Sequence, residues 1–270
     1  MDLRRRTIAR VSVYSTPALR VGVYRCPPGD DLWHETNDNI GERPHVVFPG
    51  TAVGLVRDGV RLVVTPNDVV FYRPFETYER TLRDERGDVS LFIAPQHLDI
   101  PDAPLGKADG RSFLLARRLA SRLHERDALF VEETALELVA RAIRGPAPSS
   151  GHRPATRRDR IELVEAAKDV LLARLGEPLS LGSLAGELHV SPFHLTRVFR
   201  ELTGRTLTAY LHDLRLRAAV ERLGEDSLSR IAADLGYCSP SHFTDRFRAA
   251  FGVPPSQLRN FMEAAARTSS

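Results

Sequence analysis

The spacing of hydrophobic positions changes along the chain, and each change marks a different class of secondary structure. About the first hundred residues hold short β-branched and aromatic runs that end at Pro, Gly, Asp or Asn, which is typical of strands joined by tight turns. Asp58-Gly59 favours a two-residue type I′ hairpin turn, and Thr65–Asp68 is predicted to form another tight turn. This region predicts a small β-barrel or sandwich. The runs are TIARVSVY, LRVGVYR, HVVFP, AVGLVRDGVRLVV, NDVVFYR and VSLFIA.

Residues 111–143 show helical spacing instead, in two neighbouring amphipathic segments that predict an αα-hairpin. Two interpretations of this hairpin stay open: it covers one face of the barrel, or it forms a dimer contact. The apolar stripe is wider than one barrel face needs, which favours a homodimer with Leu119 and Leu136 in the contact. The stripe consists of Phe113, Leu114, Ala116, Leu119, Ala120 and Leu123, then Leu129, Ala135, Leu136, Val139 and Ile143.

Residues 145–158, GPAPSSGHRPATRR, interrupt the periodicity and are rich in Pro, Gly and Ser, as expected of a linker. Beyond the linker the spacing is helical to the end of the chain, and it predicts seven helices. We therefore expect an α+β protein with an N-terminal domain at 1–144, the hairpin included, and an all-α domain at 159–264.

One segment of the helical part occurs twice. SPFHLTRVFRELTG (Ser191–Gly204) and SPSHFTDRFRAAFG (Ser239–Gly252) agree at seven of fourteen positions. Each copy begins with Ser-Pro, the pattern of an N-cap followed by a first helical residue, and ends at a Gly suited to a helix C-terminus. Each predicted helix, 191–203 and 239–251, has an apolar stripe for the core. The stripe holds Leu195, Val198, Phe199 and Leu202 in the first copy, and Phe243, Phe247, Ala250 and Phe251 in the second.

The opposite face of each copy is polar, and a short helix with a turn precedes each copy. A short helix, a tight turn and a capped helix with a polar outer face predict a helix-turn-helix, whose second helix enters the DNA major groove. The alternative for a single copy is an αα-hairpin repeated only for packing. Two copies with matching caps and matching polar stripes favour DNA binding.

The region from Asp159 to about Met262 resembles the DNA-binding domain of the AraC/XylS family of bacterial transcription regulators. The resemblance rests on LSLGSLAGELHVSPFHLTRVFRELTG and SLSRIAADLGYCSPSHFTDRFRAAFGVPPSQLR. It implies two helix-turn-helix units joined by a helix at about Leu207–Leu223. It also implies that their recognition helices enter successive major grooves on one face of the DNA, about 10 base pairs apart.

The polar faces supply the candidate DNA contacts. Arg197 has the planar fork that pairs with guanine, while Arg200 and Arg248 are expected to meet phosphates. Asp245 departs from the basic or neutral residue that the family resemblance implies at this position: it accepts from cytosine, or it is repelled by phosphates and weakens the second unit. The whole set is Phe193, His194, Thr196, Arg197, Arg200, Ser241, His242, Thr244, Asp245 and Arg248.

A strand-rich N-terminal half followed by a helical pair resembles the cupin-like effector-binding and dimerisation domain of this family. The histidine pair of metal-binding cupins has no counterpart, because His34 and His45 lie far apart, so we expect no metal and no cofactor. An organic effector could occupy the barrel, or the aromatic residues could simply fill it. The pocket candidates are Trp33, His45, Phe48, Phe71, Tyr72 and Tyr78.

Composition narrows the choice of function. The chain of 270 residues is 42% hydrophobic and 27% charged, and it has neither a membrane-length apolar run nor the apolar core of a signal peptide. We therefore expect a cytoplasmic protein. The formal charge of +3 is small, so any DNA-binding surface must be locally basic. Two distant cysteines, Cys26 and Cys238, suggest neither a disulfide framework nor a zinc site.

These features fit three functions to different degrees. The favoured one is a non-enzymatic, effector-responsive transcription regulator whose partners are double-stranded DNA, a small molecule, RNA polymerase and a second copy of the chain. A cupin-type enzyme with a DNA-binding tail is disfavoured by the missing metal ligands. An alkyl-transfer DNA-repair sensor needs an activated cysteine, and neither cysteine lies in a suitable setting.

Overall fold

A computed structural model describes residues 9–26, 33–36, 43–82, 88–144 and 154–268. The chain divides into two compact units, residues 1–147 and 148–270, which we call the sheet unit and the helical unit. Among the described residues, no helix is long and apolar enough to cross a membrane.

The sheet unit consists of two antiparallel sheets. Sheet A has the strand order β1-β2-β9-β4-β7-β10, and sheet B has the order β3-β8-β5-β6. The six predicted runs all contain strands. Sequence reasoning missed β3, β8 and β10, because these strands are short or rich in polar residues. The strands are β1 Ala9–Ser15, β2 Leu19–Cys26, β3 Trp33–Thr36, β4 His45–Phe48, β5 Val53–Arg57, β6 Val60–Val64, β7 Asp68–Tyr72, β8 Thr77–Leu82, β9 Asp88–Pro95 and β10 Leu105–Lys107.

Both predicted turns are present. Asp58 and Gly59 have φ values of 50° and 70°, and the flanking Arg57 pairs with Val60, which is the geometry of a two-residue type I′ turn. In the second turn, one Asp68 carboxylate oxygen accepts from the backbone N–H and from the hydroxyl of Thr65, each at 2.8 Å. Local hydrogen bonding of this kind explains why these short sequences identify turns.

Two helices, α1 (Gly110–Arg122) and α2 (Ala128–Ile143), cover one face of sheet A. Asp109 and Asp127 cap them by accepting from backbone N–H groups at 2.7 and 3.1 Å. Leu119 is fully buried in the core that the helices share with the sheet. The prediction that Leu119 lies in a dimer contact is therefore wrong: its side chain is needed for the fold of its own unit.

The helical unit contains helices joined by short connections. Its first helix begins at Pro154, so residues 154–158, which were predicted as linker, are helical. Proline is well suited to the first turn of a helix, and the ion pair between Arg158 and Glu162 stabilises that turn. The rest of the predicted linker, 145–153, lies outside the described residues. The helices are α3 Pro154–Ala173, α4 Leu181–Glu187, α5 Pro192–Thr203, α6 Leu207–Arg222, α7 Leu228–Asp234, α8 Pro240–Phe251 and α9 Pro255–Thr268.

The apolar stripes predicted for the two copies form cores. Leu195, Val198 and Phe199 of α5 are fully buried against α3, α4 and α6, and the ring of Phe199 meets Tyr210 edge-on at 5.3 Å. Phe243 and Phe247 of α8 are also fully buried, with their ring centroids 5.6 Å apart. These contacts fix which face of each repeated helix points outward.

Candidate DNA-binding surface

The two copies share the hydrogen bonding of their turns, although the second turn has one more residue, Cys238, before its serine cap. After α4, the N–H groups of Leu188, His189 and Val190 donate to the carbonyls of Leu184, Gly186 and Ala185. After α7, Leu235, Gly236 and Tyr237 donate to Ile231, Ala233 and Ala232, which are the corresponding residues. Each short helix therefore ends in the same turn and leads into a longer helix, as in a helix-turn-helix.

The turn contains one left-handed residue in each copy. His189 has φ 53° and Gly236 has φ 71°. A Cβ atom on Gly236 would lie 2.6 Å from the carbonyl oxygen of Gly176, so this turn also allows a close approach of two backbone segments.

Serine begins both recognition helices, as predicted. The hydroxyl of Ser191 accepts from the N–H of His194 at 3.2 Å, and that of Ser239 accepts from the N–H of His242 at 3.1 Å. Gly204 and Gly252 end the two helices in left-handed conformations, with φ values of 67° and 79°. Side chains at equal positions of α5 and α8 therefore point in equivalent directions from each scaffold.

The predicted contact residues lie on the outer faces of α5 and α8 or at their margins. Phe193, with 78% of its side chain exposed, lines one open groove together with Thr196, Arg197 and Arg200. The hydroxyls of Thr196 and Thr244 donate to backbone carbonyls at 2.8 Å. In this arrangement each hydroxyl oxygen can accept a hydrogen bond from a base but has no proton left to donate. On α8, Ser241, Asp245 and Arg248 are exposed, whereas His194, His242 and the two threonines are half-buried.

Positive charge is concentrated on the recognition helices because other arginines of the helical unit are paired. Arg160 pairs with Glu201, Arg205 with Asp213, and Arg222 with Asp226 and Asp234. Within residues 156–263, the arginines and lysines without an ion pair or a side-chain hydrogen bond are Arg157, Arg197, Arg200, Arg246 and Arg248. All of them except Arg157 lie on α5 or α8, where the local surface can attract phosphates.

Arg246 was missed by sequence reasoning. Its counterpart in the first copy is Val198, which is fully buried, so a search for the pattern shared by both copies passed over it. Arg246 is exposed at the margin of α8. A direct comparison of the two copies would have found it, because an arginine replaces an apolar core residue.

The six aromatic residues predicted to line an effector pocket do not lie together. His45 stacks on Tyr72, and Tyr72 contacts Tyr78 of sheet B, with centroid distances of 5.0 and 4.6 Å. Phe48 and Phe71 lie on the opposite face of sheet A, in the core beneath α1 and α2. A single pocket lined by all six is therefore ruled out, because neighbouring residues of a strand face opposite sides of the sheet.

Two of the pocket candidates, Trp33 and His45, have ring nitrogen atoms. Trp33 begins β3 and pairs with Arg80, but its side chain lies outside the described part of the structure. Burial, together with the charge of Arg57, lowers the pKa of His45 to about 4, so its imidazole is neutral at pH 7. Nδ1 of His45 lies 3.4 Å from the carbonyl oxygen of Arg43.

Comparison with known proteins agrees with this geometry. A family model described as a helix-turn-helix domain matches residues 184–260. The regulatory protein SoxS of Salmonella typhimurium is 34% identical over 101 residues, which are 37% of this chain and 94% of SoxS. The HTH-type transcriptional activator RhaS of Pectobacterium carotovorum is 35% identical over 99 residues, which are 36% of either chain. This chain thus matches only about a third of RhaS.

A further relative has a different combination of activities. The bifunctional transcriptional activator/DNA repair enzyme AdaA of Bacillus subtilis is 30% identical over 100 residues, which are 36% of this chain and 47% of AdaA. Nearly all of SoxS is matched, and the doubled helix-turn-helix predicted from the sequence is present in the structure. This chain belongs to the AraC/XylS family of transcription regulators.

Proposed function

We propose that the protein is a sequence-specific regulator of transcription whose helices α5 and α8 enter successive major grooves of one DNA site. The observation that carries this proposal is the placement of unpaired arginines. Two capped helices on equivalent scaffolds hold Arg197, Arg200, Arg246 and Arg248 outward, while other arginines are neutralised by neighbouring carboxylates. The expected partners are DNA in the cytoplasm and the transcribing RNA polymerase.

Within this proposal, the residues have different tasks. Arg197 is exposed near the middle of the outer face of α5 and donates to the O6 and N7 atoms of a guanine. Arg200, one turn later, meets a phosphate and positions the helix without reading sequence. Phe193 contacts a thymine methyl group from the first turn of the same helix.

Replacement of Arg197 tests the function. Arg197→Ala should cost roughly 1–3 kcal/mol of binding free energy and relax the preference at one base pair. The measurement is a titration of the full chain with a duplex selected from random sequences and with its scrambled version. Arg158→Ala, an exposed arginine on α3, is the matched control and should bind like the wild type. Equal affinity of the wild type for both duplexes would contradict the proposal.

We also propose that the sheet unit forms a homodimer through α2. Leu129, Leu136 and Ile143 lie seven residues apart, on one side of the helix, and are 75%, 58% and 39% exposed. A side-by-side pair of such helices buries an apolar seam of this spacing. Leu136→Glu should therefore give monomers by light scattering, whereas Glu133→Gln on the same helix should not. A dimer that persists in a folded Leu136→Glu variant would place the interface elsewhere.

The sheet unit is further proposed to be cupin-like and to respond to a small molecule. The support is the stack of His45, Tyr72 and Tyr78, which joins the two sheets and brings an imidazole and two phenol groups close to the buried guanidinium of Arg57. Apolar sites with a few polar groups are typical of ligand pockets.

A further inference from the structure

A cluster of polar side chains lies where the margin of α8 meets α6. The ring of Tyr237, in the turn before α8, lies 6.3 Å from the imidazole of His212 on α6 and 5.7 Å from that of His242 on α8. Tyr237 is only 7% exposed. Its hydroxyl and the Nδ1 atoms of both histidines are buried, with no hydrogen-bond partner in the described part of the chain. Buried polar atoms are nearly always paired, so three together are suited to a ligand.

The charged groups around His212 are basic. Burial lowers the pKa of His212, and Arg246 and His242 of α8 and Arg215 of α6 lower it further. Arg215 is already bound to the carbonyls of Leu175 and Glu177, at 2.7 and 2.8 Å. Arg246, in contrast, is exposed and has no ion pair or side-chain hydrogen bond within the described helical unit.

The turn adds a neutral group to this basic cluster. Burial raises the pKa of Tyr237 to about 12, so its hydroxyl stays protonated at all pH values considered below. The cluster therefore has one exposed guanidinium, that of Arg246, near the half-buried imidazole of His212, whereas the Tyr237 hydroxyl and the Nδ1 atoms of both histidines are buried. A guanidinium and an imidazole are suited to the oxygen atoms of a phosphate.

We infer that Arg246 and His212 together bind a phosphate of the DNA backbone, on the side of α8 that faces α6. This inference rests on the proposed DNA-binding function and adds a contact that the first helix-turn-helix lacks, since its equivalent residue is the buried Val198. Successive residues of a helix point about 100° apart. When Asp245 faces the bases, Arg246 therefore points towards the phosphates at the edge of the groove. The contact offsets the repulsion between Asp245 and the phosphates.

Phosphate binding at this place is linked to a proton. In the free protein, neighbouring positive charge favours neutral His212. A bound phosphate cancels that charge and favours the imidazolium form, which raises the pKa of His212 in the complex. Because the bound state has the higher pKa, affinity should rise as pH falls through the interval between the two values. Above both values the affinity should no longer change with pH through His212.

The first test uses salt. The full chain is titrated with the selected duplex and its scrambled version over a series of KCl concentrations at pH 8. Arg246→Gln should flatten the slope of log affinity against log salt by about 0.9 on both duplexes, since one phosphate contact is lost. Arg158→Gln should leave the slope unchanged. An unchanged slope for Arg246→Gln, with sequence preference intact, overturns this inference alone, whereas absent sequence preference in the wild type overturns the proposed function.

The second test measures the proton directly. NMR titration of the His212 imidazole in the wild type should give a higher pKa with the selected duplex than without it. A rise of one unit would strengthen binding up to about tenfold at low pH. His212→Gln should lose this pH dependence, and His97→Gln, at an exposed histidine of the sheet unit, should keep it. An equal pKa of His212 in the free and bound protein overturns the proposal, even if the His212→Gln variant does not fold.

Discussion

The two helix-turn-helix units share a scaffold and differ in the face they present. Turn hydrogen bonds, serine caps and glycine ends recur in both units, although the second turn is one residue longer, at Cys238. Two neighbouring positions differ in the chemistry they present: Arg197 is replaced by Asp245, and the buried Val198 by the exposed Arg246. Backbone geometry restricts the scaffold residues, because each cap or left-handed turn accepts few side chains. The outward residues are free of that restriction, so the difference between the units lies in what each can bind.

The largest loss of stability is expected from the buried phenylalanine rings, a feature that the two helix-turn-helix units share. Phe199→Ala and Phe247→Ala should each lower the free energy of unfolding by about 3–5 kcal/mol, because both rings are fully buried. Urea unfolding of the full chain, followed by circular dichroism at 222 nm, measures this loss. Phe193→Ala, at an exposed ring, should leave stability nearly unchanged and weaken DNA binding. A small loss for only one of the buried rings would show that the two cores are not equivalent.

The turns of the two helix-turn-helix units should lose different amounts of stability when their left-handed residue is replaced by alanine. Gly236→Ala should cost about 2 kcal/mol, because its backbone is left-handed and its new Cβ would meet the carbonyl oxygen of Gly176. His189→Ala, at the corresponding position, should change stability by less than about 1 kcal/mol, since a side chain is already accommodated there. Thermal unfolding of both variants decides the point. Equal losses would mean that the two turns are under the same constraint.

Sequence reasoning succeeded where local physics decides the structure. The caps at Ser191 and Ser239, the turn at Asp58-Gly59 and the apolar stripes follow from spacing and from single-residue preferences. The strands β3 and β8 were missed because partner strands rather than their own composition stabilise them.

Other errors came from tertiary context. Leu119 looked like part of a dimer contact because a helical stripe does not say whether a sheet or a second chain covers it. Phe48 and Phe71 were assigned to a pocket because aromatic character does not identify the face of a sheet. Arg246 escaped notice because its role depends on the packing of α8 against α6.

The smallest effect concerns the charge on α8. Asp245 is exposed and has no ion pair in the described helical unit. If it repels phosphates, Asp245→Asn should tighten binding to the selected and scrambled duplexes alike, by roughly twofold to fivefold. The reason is that two unit charges 4 Å apart in water interact with an energy of about 1 kcal/mol. If it accepts from a cytosine, the change should weaken binding at one base pair only. We expect repulsion, and fluorescence titrations with both duplexes distinguish the two results.

Whether both units lie in the major groove is tested most directly by methylation protection of guanine N7 on the selected duplex. Each bound protomer should protect two major-groove patches about 10 base pairs apart, one helical turn of DNA. Arg197→Ala should lose protection in one patch and keep it in the other. A single protected patch per protomer in the wild type would contradict the account, because it would mean that only one of the two repeated helices enters the DNA.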